Sequence, residues 1–155
     1  MVDLGAADEG RSQGGRQFDF WLGRWRVHWD EGKWGTNHVS KVLAGKVIKE
    51  RFDGRPGVNL QGISLSVYDA KASVWRQAWV DNSGAYLDFV GGWDEDRMVL
   101  SRQVAGEQGK ILQRMVWHDI GADSLMWNWE RSEDGGQNWR LVWQLRYQRL
   151  EKDDR

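Results

Sequence analysis

The sequence predicts an all-β protein: a single antiparallel up-and-down barrel of about ten strands, with a short helical turn before the first. Three observations carry this. Twelve Trp residues recur at even spacings (Trp25/Trp29, Trp75/Trp79, Trp127/Trp129, Trp139/Trp143) in segments that alternate in polarity, the period of a strand with one buried face. Clusters of Gly, Asp and Asn punctuate the chain at intervals of strand length plus a turn. No helix of useful length competes. An antiparallel meander of this many strands must curl, and closure removes the edges that invite aggregation, with a sandwich as the competing arrangement.

The elements follow in order. Phe18-Asp19-Phe20-Trp21-Leu22 has the look of one helical turn. In the first strand, 23 to 30, Trp25, Val27 and Trp29 share one face and Arg24, Arg26 and His28 the other. After Asp30-Glu31-Gly32, strand 35 to 43 sets Asn37, Val39 and Leu43 against Thr36, His38 and Ser40. Strand 46 to 53 puts Glu50 on the same face as Ile48 and Phe52, so an apolar register carries a carboxylate inward. Asp53-Gly54 leads to strand 58 to 69, and Asp69-Ala70 to strand 73 to 81, where Trp75, Gln77, Trp79 and Asp81 lie together. Beyond Asp81-Asn82-Ser83-Gly84 come strands 85 to 91, 96 to 104 and 110 to 119, separated by Gly91-Gly92 and Ala105-Gly106. Strand 124 to 132 groups Leu125, Trp127 and Trp129. The last strand, 138 to 149, groups Trp139, Leu141, Trp143, Leu145 and Tyr147 against Arg140, Gln144, Arg146 and Gln148.

Composition sets the outer bounds. A chain of 155 residues and 18.0 kDa buries roughly two thirds of its unfolded surface without staples. Residues 1–16 are rich in Gly, Ala, Ser and charge and are expected to form a disordered leader, 17–150 one barrel domain, and 151–155 a charged tail. The absence of Cys excludes disulfides and thiol nucleophiles. A net charge of -1 offers no field for nucleic acid or an anionic membrane. With no apolar h-region or membrane-length apolar run, the expected location is the cytoplasm, as a monomer or homodimer.

Gly23-Arg24-Trp25, opening the first strand after a helical turn, resembles the G-x-W signature of the calycins, the superfamily of lipocalins and fatty-acid-binding proteins. Arg146 matches the second half of that signature, which implies a basic residue packed on Trp25 to close one end of the barrel. The longer opening Phe18 to Trp25 is similar to that of a bacterial family of uncharacterised calycin-like domains. Its pattern continues through Asn37, Glu50, Trp75-Arg76-Gln77, Val80 to Gly84 and Asp134-Gly135-Gly136. This resemblance implies the fold and carries no activity. Separately, Ser132 to Trp139 fits S-x-D-x-G-x-x-W and resembles the Asp-box hairpin of sialidases and other glycan-active proteins, which implies a local structural role.

Burying Asn37, Glu50 or Gln77 among tryptophans costs a few kcal/mol each unless they are paired or bind something. The candidate site is therefore Asn37, Glu50, Gln77 and Trp79, with Asp81 and Asn82 at the following loop and Trp127 and Trp129, together with Tyr68 and Tyr86, as further lining. The alternative is an internal polar network that fixes register. Three scattered His residues (His28, His38, His118) give no metal spacing, and the sequence names no cofactor: phosphate loops, a nucleophile elbow and the local motif of nitrobindin-like haem calycins are all missing. Two functions stand in front. One is binding of a small, mainly apolar or aromatic molecule in the cavity. The other is a small-molecule enzyme of isomerase or cyclase type, with desolvated Glu50 as catalytic general acid or base. A weaker third, glycan or single-strand recognition by Arg24, Arg26 and Trp34, suits the near-neutral charge poorly.

Overall fold

The computed structural model describes residues 14–150. Ten antiparallel strands follow a 3-10 turn at Asp19–Trp21: β1 (Gly23–Trp29), β2 (Lys33–Val42), β3 (Val47–Asp53), β4 (Gln61–Asp69), β5 (Val74–Asp81), β6 (Tyr86–Asp94), β7 (Arg97–Gly106), β8 (Gly109–His118), β9 (Ser124–Ser132) and β10 (Arg140–Arg149). Each pairs with its neighbour in sequence, and β10 returns to β1, closing the barrel and excluding a sandwich. Among the described residues, no helix is long and apolar enough to cross a membrane.

One end is plugged by the turn that precedes β1. Phe18 and Trp21 are buried there against Trp117, with ring centroids 4.9 and 5.2 Å away, and Phe18 also meets Trp75 edge-on at 5.2 Å. The Trp25 indole N–H donates to the Trp21 carbonyl at 2.8 Å, tying the turn to the strand it introduces. The chain is already placed at residues 14–16, where the Gln17 and Asp19 amides donate to the Gly14 and Arg16 carbonyls. The rest of the expected leader, 1–13, and the charged tail, 151–155, lie outside the described residues.

The residue that closes the plugged end is Arg149, not Arg146. Its guanidinium lies 4.1 Å from the Trp25 ring and donates to the carbonyls of Leu22 (2.6 Å), Phe20 (3.4 Å) and Ala122 (3.0 Å). Pairing explains the change: Arg149 stands opposite Trp25 and Arg146 opposite His28, on the outer face. Gly23 is required beside it. Its φ is +131°, and a Cβ at that position would collide with the Arg149 guanidinium.

Three smaller expectations change. Leu43 leaves the inner face of β2 and sits exposed in the turn at φ +52°. In β10 a register shift between Leu141 and Trp143 breaks the alternation, so Leu141 is solvent-exposed opposite Glu130 while Trp143 faces Trp129 inside. Gly91-Gly92 is not a turn but the middle of β6, where a Cβ on Gly91 would strike the Val99 carbonyl of β7. The hairpin resembling an Asp-box has the geometry expected of it. Asp134 accepts from the Asn138 amide at 2.9 Å, Gly135 and Gly136 have φ of 74° and 92°, and the Trp139 indole donates to the Gly136 carbonyl. Hydrogen bonds from the Asn138 amide and side chain and from Ser132 hold the Asp134 carboxyl down at about 2.

Arg149→Ala removes a cation–π contact and leaves carbonyls of the plug without a donor, so an equilibrium urea titration is expected to show a loss of about 1–3 kcal/mol. Arg146→Ala, on the outer face, is expected to stay within about 0.5 kcal/mol of the wild type. Equal losses would refute this assignment of the clamp.

Candidate functional site

Strand alternation delivers Glu50 to the interior. On β3 it is buried with Ile48 and Phe52, and it stands opposite Val39 of β2 and Ser64 of β4. The Ser64 hydroxyl donates to Oε1 at 2.8 Å and the Asn37 amide to Oε2 at 2.6 Å. The same Asn37 nitrogen donates to the Tyr147 hydroxyl at 2.9 Å, bridging β2 to β10 across β1. Removal from water pushes the Glu50 carboxyl up to about 7, against the opposing pull of the Ser64 and Asn37 hydrogen bonds. Burial also raises the Tyr147 phenol, and the Glu50 charge adds to the rise.

Beside this cluster lies a cavity of about 210 Å³, lined by Glu50, Phe52, Leu60, Trp79, Asp81, Leu87, Phe89, Met115, Trp117, Trp127, Trp129, Trp143, Leu145 and Tyr147. Its aromatic walls meet mostly edge to face: Trp127 and Trp143 at 5.9 Å and 90°, Phe89 and Trp129 at 5.8 Å and 79°. Leu60, Asp81 and Leu87 lie where β4 and β6 begin and β5 ends, at the end of the barrel opposite the plug. Asp81 accepts from the Trp79 indole at 2.9 Å and from the Ser83 amide and the Ser83 hydroxyl. Partial burial raises its carboxyl, but the hydrogen bonds from Ser83, Trp79 and Ala85 outweigh this and hold it low. Among the described residues, no Lys, Arg or His lines the cavity.

Of the residues singled out in the sequence, Glu50, Trp79, Asp81, Trp127 and Trp129 share this cavity. Asn37 stands one hydrogen bond behind it. Gln77 is buried away from the lining and donates to the Ser66 hydroxyl at 3.0 Å, while its Oε1 has no partner among the described residues. Asn82 joins two loops instead, accepting from the Gln61 amide and donating to the Asn59 carbonyl. Neither Tyr68, packed on Trp75, nor exposed Tyr86 reaches the cavity. Phe52, Phe89, Trp143 and Tyr147 are further wall residues, together with Leu60, Leu87, Met115, Trp117 and Leu145. For Phe52, Trp143 and Tyr147 the signal is even spacing along the strand, from Glu50 on β3 or Leu145 on β10. Among the described residues, no three His, Asp or Glu side chains are grouped to hold a metal ion. No protein-family model matches the chain, and no curated protein matches it.

Because the folded chain holds the Glu50 proton up to about 7 and an unfolded Glu releases it near 4.5, folding takes up a proton between those values. Stability then falls as pH rises through that window and levels off above it. Glu50→Gln removes this slope. Between pH 5 and pH 8 the wild type is expected to lose roughly 2–3 kcal/mol more than the variant, as read from urea midpoints at the two pH values. Parallel curves for the two proteins would show that Glu50 is not desolvated in solution.

Proposed function

We propose that this protein is a calycin-like binding barrel that takes a small, mainly apolar or aromatic molecule into its cavity. The observation that carries the reading is the cavity itself. Protein interiors pack to crystal density and leave few voids larger than a water molecule. A space of about 210 Å³ inside a closed barrel has room for about seven waters at liquid density. An apolar cavity of about 150 Å³ accommodates benzene, so the fit is to one or two rings or a compact branched molecule rather than a porphyrin or flavin. Glu50 offers an ionisable group to orient such a ligand from one wall, and Asp81 another near the mouth. The turn before Gly23-Arg24-Trp25 and the guanidinium on Trp25 support the calycin-like assignment.

A second reading rests on Glu50 alone. A cavity-facing carboxyl that titrates near 7 is matched to general acid or base work at neutral pH, as an isomerase or cyclase requires. Glu50→Gln bears on the two: an enzyme loses turnover with its general acid or base, whereas a binder shows the change in its ligand affinity.

Titration with indole and p-cresol is expected to change Trp fluorescence saturably and raise the melting temperature. Leu145→Phe narrows the space and is expected to weaken both responses. If neither these probes nor a small organic cation moves either signal in the wild type, the binding reading is wrong.

A further inference from the structure

The chemistry of the cavity wall narrows the ligand. Among the described residues, its lining carries two carboxylates, Glu50 and Asp81, and no basic side chain. Each Glu50 oxygen accepts one hydrogen bond, from Ser64 or from Asn37, and a carboxylate has about four acceptor positions, so capacity is left for a further positive partner. Asp81 spends its acceptors on Trp79, Ser83 and Ala85 and is held ionised by them, so it supplies charge rather than a free hydrogen-bonding edge. Much of the remaining wall is aromatic, from Phe52, Trp79, Phe89, Trp127, Trp129 and Trp143, alongside Leu and Met side chains. Aromatic faces carry negative quadrupole density, and indole carries the most favourable of them for a cation.

These features act in the same direction. An anion would meet two carboxylates of like charge. A neutral hydrocarbon gains burial but nothing from the carboxylates, and it leaves an ionised Glu50 without compensation in an apolar enclosure. A compact alkylated cation gains from burial, from the rings and from both carboxylates together.

Resting on the binding function proposed above, we infer that the cavity selects an organic monocation, a protonated or fully alkylated amine whose substituents pack against the indoles while its charge faces Glu50. Around Glu50 the facing polar groups are Asn37 of β2, Ser64 of β4 and Tyr147 of β10, with Asp81 the other ionisable group on the cavity wall. Of these, Glu50 is the one that titrates near neutrality, since Tyr147 is raised and Asp81 lowered. A bound cation favours the ionised carboxylate and therefore displaces the Glu50 proton.

Choline and 3,3-dimethylbutan-1-ol test this directly, because they share shape and hydroxyl and differ in a quaternary nitrogen for a quaternary carbon. Calorimetric titration of the full chain at pH 8 is expected to show choline binding at least tenfold more tightly than its carbon isostere. Choline affinity is expected to rise roughly tenfold from pH 6 to pH 8, as the ionised fraction of Glu50 grows, and Glu50→Gln is expected to flatten that rise. A flat profile in the wild type would overturn Glu50 as the counter-charge. Equal or tighter binding of the isostere, or binding of indole with neither of this pair, overturns the cation and leaves the binding function standing. Failure of choline, the isostere, indole and p-cresol together overturns both. The wild-type comparison decides the matter even if the variant does not fold.

Discussion

Closure of the sheet through the β1–β10 pair is the constraint on which the rest of the molecule depends. In an open sheet a bulky side chain can be accommodated by a neighbour leaning outward, whereas a closed one gives every inward residue a share of a fixed interior. Large side chains on one strand therefore demand small ones on the next. β4 shows the trade most clearly: Gly62, Ser64 and Ser66 point inward and are buried, while Ile63, Leu65 and Val67 on its outer face are exposed. A Cβ at Gly62 would strike the Trp79 ring, so the indole occupies the room that β4 gives up. Near the plug Trp21, Trp75 and Trp117 pack on Phe18 and one another, and the cavity opens toward the other end.

That division also accounts for the polar interior. Register fixing and ligand binding are not exclusive uses of the same groups. Asn37 reaches both Glu50 and Tyr147 with one amide nitrogen, which sets β2, β3 and β10 in register. Such a network stabilises only when fully satisfied, and Asn37 Oδ1 and Gln77 Oε1 have no partner among the described residues. Glu50 differs from both, because it is held by hydrogen bonds on one side and open to the cavity on the other. Its carboxyl is thus positioned by its neighbours without being neutralised by an opposite charge.

Period-two alternation made the barrel and most of the inner face legible, because a register error in a half-buried strand would turn every Trp outward. Glu50 between Ile48 and Phe52 could be assigned for that reason. Where alternation failed as a guide, a physical cause can be named. The register shift in β10 between Leu141 and Trp143 takes Leu141 off the face it would otherwise share. Gly91 looks like a turn residue in sequence and is required instead by the close approach of β7. β4 inverts the usual rule, and hydrophobicity alone would orient it backwards. The most instructive case is the clamp. The family pattern points to Arg146, although alternation places it with Gln144 and Gln148 outside and puts Arg149 on the inner face with Tyr147. The dimensions of the cavity were not legible at all, since they depend on how far each indole leans across the barrel.

The Arg149 clamp has a consequence for the birth of the protein. It joins the last residue of β10 to carbonyls at Leu22 and Phe20, so the contacts that seal the barrel span nearly the whole folded chain. A ribosome releases residues from the N-terminus onward, and hairpins β2–β3 through β8–β9 can form as they emerge. The Trp21 plug and the free side of β1 cannot. Until residue 149 leaves the exit tunnel they present aromatic surface and an unpaired strand edge to solvent or to a chaperone. The interval before β10 emerges is therefore when this barrel is most exposed to misassembly, and slow translation up to and across β10 would lengthen that exposure rather than help folding.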